Sequence, residues 1–295
     1  MIQAISLFSG IGGMELGFSY AFPTGQTIQL VEKNPFRQQV LAKNFPDIPI
    51  APDVATYHPQ VDWEYKDNLL YGGFPCKGTS SAGKREGLKN EFSSLWFEQL
   101  RIIQEAKPRY VIIENPSGIF QRGINEVLNG LRSAGYDFEI PILVTGEEVG
   151  APQKRERVFI IAYANSVFLP QYRELSETRA RLIGEYIEKV GETHPSGFQP
   201  FFSGVDDGVS KGLDFPIPIN LRRSGWWLDN PFYEWFSPKG SRDRFDRVAS
   251  LGDSVIPQQA AIAFLYLKDM IADCSCQNSQ HASANQIPEE KVIKK

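Results

Sequence analysis

The segment Gly72-Gly73-Phe74-Pro75-Cys76 places a thiol just past a short apolar run, Asn68-Leu69-Leu70-Tyr71, that reads as a strand. Pro75 stiffens the approach to Cys76, while Gly72, Gly73 and Gly78 let backbone or a ligand come close. A sulfur on a tight loop at the C-terminal end of a strand sits where open α/β sheets bind ligands, which is a place for a nucleophile. Glu114 is a second candidate, ending the apolar run Tyr110-Val111-Ile112-Ile113 and followed by Asn115-Pro116-Ser117-Gly118. Burial at such a strand end raises a carboxyl's pKa, so that it holds or shares a proton near neutral pH. In Gln153-Lys154-Arg155-Glu156-Arg157, strand alternation would put Gln153, Arg155 and Arg157 on one face. Two guanidiniums there suit a carbonyl oxygen and phosphates, and the bland alternative is an ion-paired edge strand.

A further set lies near the N-terminus. Leu7-Phe8-Ser9-Gly10-Ile11-Gly12-Gly13 follows an apolar strand and opens a helix, so its glycines and unpaired amides can receive a ligand. Glu32 ends the next strand about 20 residues on, where an acid can accept hydrogen bonds from two ribose hydroxyls. Asp53 follows the third segment and can read a base edge. Loop and acid together point to an adenosine-containing cofactor. The loop lacks the third glycine of the dinucleotide pattern, which disfavours NAD and leaves S-adenosylmethionine as the simpler ligand.

These residues need a sheet to position them. Strand-like runs at Ile2–Phe8, Thr27–Glu32, Leu69–Gly72, Tyr110–Glu114, Ile142–Thr145 and Val158–Tyr163 alternate with helix-like runs at Met14–Ala21, Phe36–Asn44, Glu91–Ala106 and Ile119–Ser133. Such alternation predicts an α/β fold, a parallel Rossmann-like sheet with helices on both faces. Residues 165–245 are rich in Gly, Pro and aromatics with one helical stretch near 174–189, and read as a small second lobe. Regular structure resumes near Arg247 with a Gly-containing loop, then the apolar helix Ala260–Ile271. The main domain is thus expected over 1–164 and 246–272, with a polar, disordered tail over 273–295.

At 295 residues the chain can hold one large domain plus a lobe. No apolar run approaches the roughly 20 residues of a membrane span, and no charged leader with a cleavable apolar core is visible, so a cytoplasmic protein is expected. The three cysteines, Cys76, Cys274 and Cys276, make no disulfide framework or four-ligand zinc site. The net charge of −4 does not advertise nucleic-acid binding, yet basic residues cluster at 77–89, 154–157, 222–223 and 239–247.

Taken in order, these motifs resemble those of the cytosine-5 DNA methyltransferases of bacterial restriction–modification systems. Leu7–Gly13 resembles the family's cofactor loop, and Glu32 and Asp53 match its ribose and adenine acids. Gly73–Cys76 resembles the nucleophile loop, Glu114-Asn115 the acid motif, and Gln153-x-Arg155-x-Arg157 the motif that orients the cytosine. Leu251–Pro257 resembles the closing motif that completes the cofactor pocket. The resemblance covers roughly residues 1–164 and 245–272, and the ordered set is far more specific than any one motif. It departs from the family pattern at Lys77 (usually Gln), Thr79 (usually Phe), Ser93-Ser94 (often Arg-Ser), Pro116 (usually Val) and Asp253 (usually Asn).

The resemblance implies methyl transfer from S-adenosylmethionine to carbon 5 of a cytosine flipped out of double-stranded DNA, with Cys76, Glu114, Arg155 and Arg157 as the catalytic set. It implies cofactor contacts from Phe8, Gly10, Ile11, Gly12 and Gly13, from Glu32, Asp53 and Val54, from Pro75 and Leu95, and from Asp253, Ser254 and Val255. DNA contacts are expected from Lys84, Arg85 and Gln153. Arg222 and Arg223, beside Trp226 and Trp227, fit a DNA-reading surface or equally the edge of a small aromatic core. A monomer is expected, with a cognate restriction endonuclease as the partner acting on the same site. An RNA cytosine methyltransferase of the same architecture and an inactive DNA-binding paralogue remain the alternatives.

Overall fold

β1 (Gln3–Leu7) buries four of its five residues, and β4 (Asn68–Gly72) buries all five. Strands covered on both faces lose in–out alternation and read as continuous apolar runs. The same holds for β5 (Tyr110–Pro116) and β8 (Arg157–Ala164), where Val111-Ile112-Ile113 and Val158-Phe159-Ile160-Ile161 are buried throughout. β2 (Gln26–Val31) and β3 (Ile50–Ala51) lie towards one edge, β6 (Tyr136–Phe138) and β7 (Ile142–Val144) at the other. The structure is a computed structural model that describes residues 1–75, 95–149, 151, 154–165 and 243–284. Among these, eight strands form one sheet in the order β3-β2-β1-β4-β5-β8-β6, with β7 also beside β8.

β1 to β5 run parallel, and β1 lies between β2 and β4. The chain therefore winds to one side of β1 and then to the other. The crevice at this reversal, above the C-terminal ends of β1 and β4, is where such sheets take ligands. β8 departs from the all-parallel expectation and runs antiparallel to β5, β6 and β7. The connection from β7 to β8 is short and carries, among its described residues, only the single 3-10 turn Glu147–Val149, whereas parallel pairing needs a longer crossover.

Seven α-helices are described. α1 (Gly13–Ala21) follows β1, and α2 (Pro35–Asn44) follows β2. Asn34 caps α2 by accepting from Phe36 N at 2.9 Å and Arg37 N at 3.1 Å, with Pro35 in the first turn. α3 is Leu95–Ala106. The single helix expected over 119–133 is two, α4 (Ile119–Arg122) and α5 (Ile124–Ser133), divided at Gly123. α6 (Arg244–Asp253) turns part of the expected Gly-containing loop into helix. α7 (Pro257–Ala284) runs on past residue 273, where the tail was expected to begin. No Gly or Pro stands between Pro257 and Pro288, so once nucleated the helix propagates at one backbone bond per residue. Most of the lobe expected over 165–245, and the chain after 284, lie outside the described residues. Among the described residues, no helix is long and apolar enough to cross a membrane.

α7 packs on α1 and the sheet through a ring cluster. Phe264 meets Phe18 at 5.5 Å and Tyr71 at 5.1 Å, both edge-on, and Tyr71 shares a hydrogen bond of 2.9 Å with Thr27. The helices approach closely at Gly17, where a Cβ would lie 2.7 Å from Ala260 Cβ, 2.8 Å from Ala261 N and 2.9 Å from Pro257 O. Gly→Ala inside a helix ordinarily gains about 1 kcal/mol. Here two of the three colliding atoms are backbone, so Gly17→Ala is expected to destabilise by about 1–3 kcal/mol, read as a lower urea midpoint at unchanged slope.

Candidate active site

The loop after β1 is built on strained backbone. Phe8, Gly10 and Gly12 have φ of 55°, 59° and 98°, and positive φ on an aromatic residue costs of order 1–3 kcal/mol. Hydrogen bonds to the end of β2 hold it there. Ser9 N donates to Val31 O at 3.1 Å, and Gly10 N donates to Glu32 Oε2 at 2.8 Å. Glu32 Oε1 accepts from Asn34 N at 2.7 Å. Each carboxylate oxygen can accept more than one hydrogen bond, so Glu32 retains acceptor capacity for a diol. Asp53 lies beyond β3, ion-paired to Lys33 at 2.8 Å and accepting from Ala55 N at 3.0 Å. These contacts hold its carboxyl below the ordinary range. Val54 beside it is buried, Pro75 is half-buried, and Leu95 opens α3. The arrangement fits an adenosine-bearing ligand, with glycine-lined backbone at β1 and acids at the adjoining strand ends.

Glu15 lies under this loop and was not anticipated. It is a buried acid on the apolar face of α1 that carries Met14 and Phe18, which is the signal that could have found it. Ser6 Oγ donates to its Oε1 and also shares a hydrogen bond with Ser9 Oγ, while Oε2 has no hydrogen-bond partner. Burial pushes Glu15 up to about 7, against the lowering effect of the serines, and nearby Glu32 pushes the same way.

At the other end, Glu114 is buried two residues before the end of β5, which runs on to Pro116 rather than stopping at the acid. A Cβ at position 73 would overlap Glu114 Oε2, so any larger residue there, three before Cys76, would require the buried carboxyl to move. Asn115 Nδ2 donates to Phe74 O at 3.4 Å and Glu114 O at 2.9 Å, tying the acid motif to the same loop. Register brings up the guanidinium. Arg157 pairs with Pro116 across β5 and β8, so Glu114, two residues back, is its diagonal neighbour on the same face. Arg157 Nε lies 2.8 Å from Glu114 Oε1. The N–H does not line up on that oxygen, so this is a charge contact rather than a hydrogen bond. Burial raises the Glu114 pKa, and Arg157, then Arg155, oppose the shift.

Arg155 does not share the Arg157 face as strand alternation had suggested. β8 begins only at Arg157, and Arg155 has φ of 34°, outside strand geometry. Its Nη2 donates to three carbonyls at the end of α6 and just beyond: Leu251 O at 3.3 Å, Gly252 O at 2.8 Å and Ser254 O. A cation there also favours the negative end of the helix dipole. Gln259 Nε2 on α7 returns a bond of 2.6 Å to Arg155 O, and Arg37 pairs with Asp253 at 2.5 Å. Asp253 is therefore engaged with α2, while the Val255 carbonyl lies against Gly13, beside the glycine loop. Cys76, Lys84, Arg85, Gln153, Arg222 and Arg223 lie outside the described residues.

The strand order with a reversed β8, and loops at the β1/β4 crevice, define a Rossmann-like methyltransferase fold. Two solved structures share it: a putative DNA modification methyltransferase from an E. coli prophage, with TM-score 0.58 and 19% identity over 92% of this chain and 100% of that one, and S. pombe Dnmt2 methyltransferase, with TM-score 0.56 and 16% identity over 92% and 99%. The family described as C-5 cytosine-specific DNA methylase matches residues 2–197, and the chain belongs to that family. Among its curated relatives are the Type II methyltransferases M.NgoBI of Neisseria gonorrhoeae, 31% identical over 67% of this chain and 61% of the relative, and M.HpaII of Haemophilus parainfluenzae, 32% identical over 71% and 65%. The matched part of the chain thus spans less than two thirds of either relative.

Two outcomes test this geometry. A carboxyl whose folded pKa is raised contributes stability that is fully present below about 4.5 and lost as pH rises through about 7. Glu15→Gln is therefore expected to gain on the wild type across that window, by up to about 3 kcal/mol at pH 8, measured by urea unfolding at pH 5 and pH 8. Arg155→Met removes a buried cation from three carbonyls and is expected to cost about 2–4 kcal/mol by the same measurement, with Arg155→Lys recovering part.

Proposed function

We propose that the chain is a DNA cytosine-5 methyltransferase that acts through a covalent adduct of Cys76 with carbon 6 of a cytosine flipped out of the duplex. The observation that carries this reading is the Glu114 carboxyl, buried against Arg157 and seated over Gly73 in the loop that leads to Cys76. Carbon 5 of cytosine is a poor nucleophile until a thiolate adds at carbon 6 and makes an enamine-like carbon 5. Glu114, inclined by burial to hold a proton, is suited to donate it towards ring nitrogen 3 as charge develops there. Arg157 is suited to hold the base by its exocyclic oxygen while limiting how far the Glu114 pKa rises. Once carbon 5 has taken the methyl group, loss of its proton to a base or water breaks the carbon 6–sulfur bond and expels the Cys76 thiolate. Flipping the base costs a few kcal/mol, which contacts elsewhere on the protein must offset.

S-adenosylmethionine is the proposed methyl donor, and when bound it would supply the electrophilic carbon. Phe8 to Gly13 would cradle it, Glu32 would take its ribose hydroxyls, Asp53 and Val54 its base, and Ser254-Val255 would close over it, with Pro75 and Leu95 on the facing side. Lys84, Arg85 and Gln153 are proposed to meet DNA near the flipped base, and Arg222 and Arg223 to read the duplex. The names of the Type II relatives support a restriction–modification context with a paired endonuclease.

Duplex DNA carrying 5-fluorocytosine at a methylated site tests the core of this reading, because fluorine blocks the final elimination. The wild type with methyl donor is expected to form a denaturation-resistant complex, and Cys76→Ser none, while still binding the donor. Glu114→Gln is expected to lower turnover by at least about a hundredfold. Full methylation by Cys76→Ser, or a loss under about tenfold in Glu114→Gln, would refute the assigned roles.

A further inference from the structure

Arg101, in the middle of α3, belongs to none of the motifs discussed above, yet its donors reach out of its own helix. Nε donates to Glu98 Oε2 at 2.9 Å, and Nη1 to Glu105 Oε1 at 2.8 Å, ordinary pairs along one helix face. Nη2 donates to Val54 O at 2.7 Å and to Tyr57 O at 3.1 Å. Nη1 also lies 3.3 Å from His58 Nδ1, which in turn meets Glu105 Oε2 at 3.0 Å. The planar guanidinium thus clamps both ends of the turn 54–57 while anchored to its own helix. A lysine ammonium, with three donors and no fork, cannot reproduce that set.

The clamped turn begins at Asp53. Asp53 O accepts from Thr56 N and Thr56 Oγ1, each at 3.3 Å, and Tyr57 N donates to Val54 O at 3.3 Å. Asp53 Oδ1 accepts from Ala55 N at 3.0 Å. The turn backbone therefore fixes Oδ1 of the Asp53 carboxyl, while Oδ2 meets Lys33 Nζ at 2.8 Å, so the turn and Lys33 together set its direction. Glu32 stands at the neighbouring strand end, where Glu32 N donates to Ala51 O at 3.0 Å.

We propose that Arg101 is a positioning residue that sets nucleobase specificity: by holding the Val54 and Tyr57 carbonyls it aims the Asp53 carboxylate at the exocyclic amino group of an adenine. An ionised carboxylate only accepts hydrogen bonds, so it favours a base bearing an amino group over one bearing an oxo group at the same position. Arg101 takes this role on the condition, proposed above, that the methyl donor carries adenosine. Glu98 and Glu105 would account for Arg101 as a helix-surface residue, but not for the two bonds that cross to another segment.

The test is calorimetric titration of the full chain with S-adenosylhomocysteine and with its inosine counterpart, in which an oxo group replaces the amino group. The wild type is expected to prefer the adenosine ligand by at least about tenfold, the worth of one such hydrogen bond. Arg101→Met is expected to weaken the adenosine ligand about tenfold and bring the two affinities to within about threefold, with kcat at saturating donor unchanged within about twofold. Arg101→Lys, which keeps its charge beside Glu98 and Glu105, is expected to hold the wild-type melting temperature and still lose most of the preference. It carries the test should Arg101→Met fold poorly. An undiminished preference in the variants, or equal weakening of both ligands, would overturn the role. Failure of the wild type to bind either nucleoside would instead refute the adenosine-bearing donor, and the role of Arg101 with it.

Discussion

A carboxyl buried near the end of β5 constrains everything around it. Taking an ionised Glu114 out of water with no partner would cost several kcal/mol. Arg157 offsets part of that cost, and the β5/β8 register makes the offset automatic, because the diagonal neighbour across the strands is the cation. Compensation is incomplete. The guanidinium N–H misses the oxygen's hydrogen-bonding direction, burial outweighs the charge contact, and the pKa stays raised. A perfect bidentate pair would lower the pKa and leave a carboxylate with no proton to share. The same burial explains Gly73, since the carboxyl occupies the space a side chain there would need.

Arg155 stands two residues from Arg157 and has a different task. Its positive φ takes the chain out of strand geometry, so its guanidinium reaches the end of α6 rather than Glu114. Gln259 returns a bond from α7, and Arg37 reaches Asp253 from α2. The segment 251–255 is thus tied to the residues just before β8 at one side and to α2 at the other, with Val255 against Gly13 at the mouth of the glycine loop. Aspartate at 253, where the family usually has asparagine, gives Arg37 an ionic partner. Exposed as that pair is on the Asp253 side, it contributes little to stability beside the buried Arg155 contacts.

Central strands were legible in the sequence because burial on both faces writes them as unbroken apolar runs: Leu69-Leu70-Tyr71, Tyr110–Ile113 and Val158–Ile161. β3 and β6 are two and three residues long, too short for any periodicity, and only their partners define them. The reversal of β8 was missed because an apolar run carries no direction, and only the missing crossover helix hinted at it. The split at Gly123 was a local matter, a glycine read through as helix, and α7 continues to Ala284 through a stretch whose polar composition alone reads as tail. At the site, Glu32 and Glu114 were legible as acids ending apolar strands. The partners of Arg155 and Asp253 were not, because they join segments about a hundred and two hundred residues apart in the chain, and no spacing rule spans such distances.

Strand order itself limits what the crevice can do. Neighbouring strands lie about 4.8 Å apart, so β1, with its glycine loop, and β5, with Glu114, stand roughly 10 Å apart with β4 between them. A small group bound at β1 and a planar base held at β5 would therefore meet above β4, and β4 is the strand whose loop leads to Cys76. A nucleophile carried by β2 would lie on the far side of the glycine loop from Glu114. One on β8 would approach from the side Arg157 already fills. Of the strand ends this topology offers, the end of β4 alone adjoins both halves, which is the ground on which the thiol that follows β4 in sequence is proposed to act with the acid and the glycine loop.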